Sequence, residues 1–232
     1  HAFAAGMLAS DNLCLDNIVR NANEDQKRTY LSGFCDGSTI GALGMTEPGA
    51  GSDALGSMST TAVRDGDDYV LNGRKLFITN GPVADILLVY AKTDLEKKQH
   101  GISAFIVEKN FEGFSVAQKL DKMGWRGSPT GELVFDNCRV PAGNLLGAEN
   151  KGNIVMMSGL DVERIIAAFF GLGQAHRALD LALEYAVQRK QFGAPIGTFQ
   201  IIQGMLADMY TELEGMRALT YQLGREIKNV KN

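Results

Sequence analysis

Residues 46–53, Thr46-Glu47-Pro48-Gly49-Ala50-Gly51-Ser52-Asp53, directly continue the apolar run Ile40-Gly41-Ala42-Leu43-Gly44-Met45. The run reads as a buried strand, and Pro48 ends it because proline has no N–H to give a neighbouring strand. Gly49 and Gly51 free the backbone for conformations that a Cβ forbids. Such a loop leaves backbone N–H groups and the hydroxyls of Thr46 and Ser52 available to a polar, anionic group. A Gly-rich loop taken alone is more often an ordinary turn. The specific order of residues here, together with the motifs further along the chain, favours the functional reading.

Outward from this loop, residues 38 to 140 read as short strands: 38–46, 57–64, 68–79, 84–92, 101–108, 113–119 and 131–138. Turn chemistry separates them, at Arg64-Asp65-Gly66-Asp67, Asn72-Gly73, Asn80-Gly81-Pro82 and Asp136-Asn137. Seven strands without intervening helices predict an antiparallel barrel or sandwich. Before them, residues 1–36 are helical in pattern: Leu15, Ile18 and Val19 share a stripe, and Asn23-Glu24-Asp25 opens a helix ending near Phe34. After Pro141, residues 151–191 carry few helix breakers besides Gly152, Gly159, Gly171 and Gly173. Ile154, Val155, Met157, Leu160, Ile165 and Ile166 read as the core side of this helix, with Leu179, Leu183 and Ala186 recurring at helical spacing beyond. Gly193-Ala194-Pro195-Ile196-Gly197 then turns the chain into a second long helix, about 198–229, antiparallel to the first.

The expected fold is therefore α+β and multi-domain: the end of an N-terminal helical bundle (1–36), an antiparallel β-barrel (37–144) and the first half of a C-terminal helical bundle (145–232). The chain opens at His1 without a cap and stops inside a helical pattern, so both helical parts read as truncated. With 232 residues, 45% hydrophobic, there is ample material for a core. A net charge of −4 and a pI near 5.4 give no general attraction to nucleic acid or membrane surfaces, so an anionic ligand needs a local site. No apolar run approaches the ~20 residues of a membrane span. Cys14, Cys35 and Cys138 are odd in number and widely spaced, and read as reduced core thiols rather than metal ligands.

Thr46 to Asp53, Leu76-Phe77-Ile78-Thr79-Asn80-Gly81, Lys122-Met123-Gly124-Trp125-Arg126-Gly127-Ser128, Gly159-Leu160-Asp161-Val162-Glu163-Arg164 and Arg189-Lys190-Gln191-Phe192-Gly193 occur in that order. In this the chain resembles the acyl-CoA dehydrogenase family of flavoproteins over nearly its whole length. The resemblance implies FAD as cofactor. Leu43, Gly44, Met45, Thr46, Gly51 and Ser52 would line one side of its isoalloxazine ring, with Phe77, Ile78 and Thr79 covering it from the next strand. Many relatives have tryptophan at the position of Phe77; an aromatic wall survives the change, an indole N–H does not. Taken without the family, Phe77 and Ile78 are plain core residues. Arg189 matches an arginine that reaches the FAD pyrophosphate of a neighbouring subunit, and Gln200 a further FAD contact, so the resemblance implies a homo-oligomer, a tetramer in type. Taken singly, Arg189 is an ordinary solvated side chain.

The family's reaction removes a proton beside a thioester carbonyl and a hydride from the next carbon. It needs a carboxylate in a dry pocket, where it becomes more basic. Glu163 is the candidate, on a helix otherwise apolar on its core side; the plain alternative is a salt bridge with Arg164 or a half-exposed glutamate. Most relatives carry the base on a later loop, whereas isovaleryl-CoA and long-chain enzymes place it in this helix. The segment around Glu163, with Glu149 to Gly152 and Gln203 to Tyr210, resembles the isovaleryl type. The substrate side would comprise Ser52, Gln99, His100, Ile154, Asp161 and Arg164, with Ile154 standing where isovaleryl-type enzymes have a tyrosine. These matches imply FAD-dependent dehydrogenation of a short branched acyl-CoA in leucine catabolism, with electrons passed to electron-transfer flavoprotein. The location would be the mitochondrial matrix in a eukaryote and the cytoplasm in a bacterium. Alternatives are another branched or long-chain acyl-CoA dehydrogenase, a non-catalytic FAD-binding homologue, and an oxygen-reacting oxidase of the same fold.

Overall fold

A computed structural model of the protein describes residues 2–226, in two compact units, one up to Leu160 and one from Asp161 onward. In the first unit α1 (Ala2–Leu8), a π-helical segment (Ala9–Leu15) and α2 (Asp16–Asn21) succeed one another without a break. The wide π turns present Ser10 and Cys14 to the sheet: Ser10 Oγ accepts from Gly41 N at 3.0 Å, and a Cβ on Gly41 would lie 2.8 Å from that of Cys14. Helix α3 (Glu24–Asp36) opens on a capping box, Asn23 Oδ1 accepting from Gln26 N while Gln26 Oε1 accepts from Asn23 N. Gly37, left-handed at φ 77°, closes it. The helix expected from Asn23-Glu24-Asp25 is thus present and runs on past Phe34 to Asp36.

Eight strands form one sheet: β1 (Gly41–Gly44), β2 (Thr61–Asp65), β3 (Asp68–Thr79), β4 (Ile86–Lys92), β5 (Ile102–Glu108), β6 (Phe114–Lys119), β7 (Thr130–Pro141) and the short β8 (Leu145–Leu146). Their order is β6-β7-β3-β2-β4-β5-β8, with β1 also on β4. Every expected strand is found. Most pairs are antiparallel, but β1–β4 and β2–β4 are parallel. For β1 the reason is its connection to β2, which carries the Thr46–Asp53 loop and α4 (Ala54–Ser57), a crossover rather than a hairpin; β2 and β4 run the same way because β3, antiparallel to β2, reverses the chain between them. Alternation of apolar residues reports faces, not strand direction.

Both faces of β4 and β5 are covered, which is why Ile86–Ala91 and Ile102–Val107 are nearly continuous apolar runs. Leu87, Val89, Phe105 and Val107 join Tyr69, Leu71, Leu133 and Phe135 in one core. Ile86, Leu88, Tyr90, Ile102 and Ile106 face Cys14, Ile18, Tyr30, Val155 and Met156 in the other. Gln26 fixes α3 to the sheet's end, its Nε2 donating to Gly143 O and Leu145 O, both at 2.8 Å.

The long helix α5 (Gly152–Gln188) begins in this unit. Gly152, Val155, Met156 and Gly159 form its contact face; a Cβ on Gly152 would lie 2.7 Å from the Ser103 carbonyl carbon, and one on Gly159 2.4 Å from Asn17 Nδ2. This corrects the expected core side. Ile154 is 57% exposed and Met157 is exposed as well, because the glycines allow the helix to approach on a different face.

In the second unit α5 continues to a tight hairpin, β9 (Lys190–Gln191) and β10 (Ala194–Pro195), whose turn residues Phe192 and Gly193 both have positive φ (51° and 82°). Helix α6 (Gln200–Glu226) returns antiparallel: Phe169 and Tyr221 meet edge to face at 5.6 Å, and Gly197 lies against Ala186. The expected end of this helix, 227–229, lies outside the described residues. Cys14 and Cys138 are buried and free, as expected, but Cys35 is exposed. It stands in the last turn of α3, whose buried positions are Gln26 and Tyr30. Among the described residues no helix is long and apolar enough to cross a membrane, and no cluster of His, Cys, Asp and Glu could hold a metal ion.

Candidate cofactor and substrate site

Leu43 and Gly44 end β1 beside Leu88 and Val89 of β4, and Met45 and Thr46 leave the strand there. The next residues close on themselves: Glu47 and Ala50 exchange backbone hydrogen bonds of 2.9 and 3.1 Å. Two of the loop's amides are thus spent internally. Gly49 and Gly51 do not adopt left-handed backbone, and a Cβ on either would meet nothing within 4 Å. The expectation that these glycines relieve forbidden backbone is therefore not met; the chain's own packing leaves room for a side chain at both. Asp53 caps α4, accepting from Gly56 N at 3.2 Å and from the Ser57 hydroxyl.

The Phe77–Thr79 segment is shaped by a bulge. Strand β3 turns Tyr69, Leu71 and Lys75 inward, and its pairing with β7 slips between Lys75 and Ile78. The extra residue reverses the parity, so Ile78 is buried (3% exposed) and Phe77 is turned outward, 64% exposed at φ 62°. An aromatic residue in left-handed backbone is rare and strained. The plain core reading thus holds for Ile78 and fails for Phe77. Leu76 N donates to Thr46 O at 2.8 Å, so the Met45–Thr46 and Phe77–Thr79 segments lie side by side. Among the described residues no protein hydrogen bond engages the hydroxyls of Thr46, Ser52 or Thr79.

Beneath this pair of segments lies a buried ion pair that belongs to none of the motifs' assigned roles. Lys75 Nζ is 2.8 Å from Glu47 Oε1, with side-chain exposures of 0% and 1%. Glu47 also accepts from Ser59 N (2.6 Å), the Ser59 hydroxyl and Thr60 N (3.0 Å), while Lys75 donates further to Met45 O at 3.2 Å. Burial alone would raise the Glu47 carboxyl; the charge and hydrogen bond of Lys75, with those of Ser59 and Thr60, outweigh it and hold the carboxyl down at about 2. Burial pulls the Lys75 ammonium down to about 8, partly offset by Glu47. One sequence signal was available: continuing the inward series 69, 71, 73 along β3 puts a lysine at 75 in the core, which demands a buried partner.

Gln99 and His100 are exposed on a 3-10 turn (Lys98–Gly101) that packs beside α4, just after Ser52 and Asp53. The Gln99–His100 turn thus lies beside the short helix that follows Ser52 in the chain. Ile154 is exposed on the first turn of α5. In the second unit Glu163 is half-buried, and Arg164 pairs not with it but with Asp161, at 2.8 Å on the helix surface. Among the described residues Glu163 has no ion-pair partner, so the salt-bridge alternative does not hold, while its intermediate burial is that of the other alternative, a half-exposed glutamate. Arg189 and Gln200 are exposed at the two ends of the hairpin connection, Arg189 O accepting from Ile196 N at 2.8 Å. A cleft of about 430 Å³ opens elsewhere, among Met7, Ser10, Phe34, Ile40, Asn80 and Pro129. None of the wall residues lines it.

Comparison with known proteins covers both units. Residues 42–138 match the acyl-CoA dehydrogenase middle domain, and residues 150–232 the acyl-CoA dehydrogenase C-terminal domain. A mitochondrial 2-methylacyl-CoA dehydrogenase of Solanum tuberosum is 51% identical over 99% of this chain and 56% of its own length. A mitochondrial isovaleryl-CoA dehydrogenase of Oryza sativa subsp. japonica is 52% identical over 96% of this chain and 54% of its own. Butyryl-CoA dehydrogenase from Megasphaera elsdenii superposes with a TM-score of 0.95 at 44% identity, over all of this chain and 60% of that one. The chain thus spans about half the length of the curated relatives it matches. Two domain matches in the family's own order, together spanning most of the sheet, its adjacent Met45–Thr46 and Phe77–Thr79 segments and both long helices, show that this chain belongs to the acyl-CoA dehydrogenase family.

Proposed function

We propose that the full-length protein is an FAD-dependent acyl-CoA dehydrogenase acting on a short branched acyl-CoA of the isovaleryl kind. The donor set fits the cofactor: three uncommitted hydroxyls and an outward aromatic ring stand on adjacent segments. When bound, FAD supplies the acceptor for the hydride lost from the β-carbon. Thr46, with the Met45–Thr46 backbone, would orient the ring and offer hydrogen bonds where negative charge arrives. Phe77 would exclude water from its face, held in place by the buried Ile78 beside it. In the first unit Ser52, Gln99 and His100 would hold the CoA side; in the second, Asp161 and Arg164 would serve CoA, and Arg189 and Gln200 the FAD of a neighbouring subunit in a tetramer. Glu163 would take the α-proton, leaving the 2-enoyl-CoA, and electron-transfer flavoprotein would accept the electrons.

The observation that carries this reading is Glu163 itself: a half-buried carboxylate without an ion-pair partner among the described residues, beside an Arg164 that is committed to Asp161. A base needs such freedom. A second reading has a finding in its favour, the 51% identity to a 2-methylacyl-CoA dehydrogenase. The exposed Ile154, in place of the tyrosine of isovaleryl-type enzymes, is compatible with either acyl group. Anaerobic titration of the full-length yellow protein with isovaleryl-, 2-methylbutyryl- and straight-chain C4 to C16 acyl-CoA tests both. The proposal expects fastest flavin bleaching by isovaleryl-CoA; preference for 2-methylbutyryl-CoA would move the assignment to the second reading, and no bleaching by any thioester would refute both.

A further inference from the structure

The wall segments are tied together from below by one buried ion pair. Lys75 stands two residues before the outward Phe77 and donates to both Glu47 Oε1 and Met45 O. Glu47 belongs to the opposite segment and is itself fixed by Ser59 and Thr60. The pair sits where β3 begins to slip against β7, on the last inward position before the bulge. A buried ion pair is a poor way to gain stability, because desolvation of both groups consumes most of the attraction, and apolar residues of similar size often serve as well. What apolar residues would not do is grip the Met45 carbonyl and the Ser59 and Thr60 amides at once. The arrangement specifies position rather than adhesion.

We infer that Lys75 and Glu47 are positioning residues that set the Met45–Thr46 segment against the Phe77–Thr79 segment, and so set the geometry of the flavin-facing wall. The inference rests on the flavin reading given under the proposed function. Neither side chain can touch the ligand, both being fully buried; they act through the backbone they hold. Misplacement of the groups around the reacting atoms by about 1 Å costs turnover up to about a hundredfold.

The test uses the full-length flavoprotein and the variants Lys75→Met, Glu47→Gln and the double Lys75→Met/Glu47→Gln. Each single variant leaves a buried charge unpaired and is expected to lose stability; the double removes both charges and is expected to recover it. A purely structural pair would recover function with stability. The inference expects otherwise. The double variant should fold and hold FAD, yet show altered visible circular dichroism of the bound flavin, a shifted flavin potential, and kcat lowered roughly tenfold or more with KM within about threefold. Lys75→Arg should restore part of the loss by regaining the charge. A double variant with wild-type spectrum, potential and kcat would overturn the inference, as would one that does not fold. Wild-type protein that binds no FAD would instead refute the flavin reading beneath it.

Discussion

Replacing Gly159 by alanine tests how the opening turns of α5 pack against α2 within the first unit. Alanine favours a helix interior over glycine by about 1 kcal/mol, so an unhindered position would be stabilised. Here a Cβ would lie 2.4 Å from Asn17 Nδ2, 2.8 Å from Oδ1 and 3.0 Å from Cγ. That is about 1 Å inside normal heavy-atom contact. Asn17 has little freedom to yield: it is 2% exposed, and its Nδ2 donates to Leu13 O at 2.8 Å. Moving it forfeits that bond, about 1 kcal/mol, and overpacking adds about 1–3 kcal/mol. Set against the helix gain, Gly159→Ala should destabilise by about 1–3 kcal/mol, read in urea unfolding as a lower midpoint at unchanged slope. Asn17→Ala opens the space and removes Oδ1, a buried atom without a hydrogen-bond partner, so the double variant should recover at least half of the loss. Gly159→Ala protein as stable as wild type, or a loss that Asn17→Ala leaves untouched, would show that this contact does not seat the helix.

Acid should weaken the first unit through Glu47. Its folded-state carboxyl is held below the ordinary 4.5, at about 2, so its contribution is complete above pH 4.5 and is lost as pH falls towards 2. At about 1.4 kcal/mol per unit this is about 3 kcal/mol, and the loss should shrink in Glu47→Gln protein when unfolding is followed across that window. Among the three thiols, burial raises Cys14 to about 12 and Cys138 to about 11, whereas Cys35 is exposed. Alkylation of native protein near pH 8, mapped by mass spectrometry, should label Cys35 rapidly and the other two only on unfolding.

Much of the fold can be read from the chain because its elements are locally determined. The strand over 68–79 and the helix starting at Asn23 appear where the turn at Asp65-Gly66-Asp67 and the capping box place them. What local pattern does not encode is pairing and approach. The parallel β1–β4 pair depends on a crossover, and the buried face of α5 on glycines that read as helix breakers yet serve as contact points at 152 and 159. The same holds at the site. The order of motifs singles out the Thr46–Asp53 and Leu76–Gly81 segments, but the bulge that ejects Phe77 is a register slip between distant strands, invisible to alternation within β3. Lys75 is different: its parity on β3 marks it as inward, although no motif includes it.

Everything proposed about turnover depends on Glu163 removing the α-proton. Glu163→Gln in the full-length protein keeps the side chain's size and abolishes its basicity, and the decisive measurement is the rate of flavin bleaching after anaerobic mixing with isovaleryl-CoA. With Glu163 as the base, the variant binds FAD and the thioester yet leaves the oxidised flavin absorbance essentially unchanged on the wild-type timescale. Full bleaching at the wild-type rate would instead place the base elsewhere in the protein.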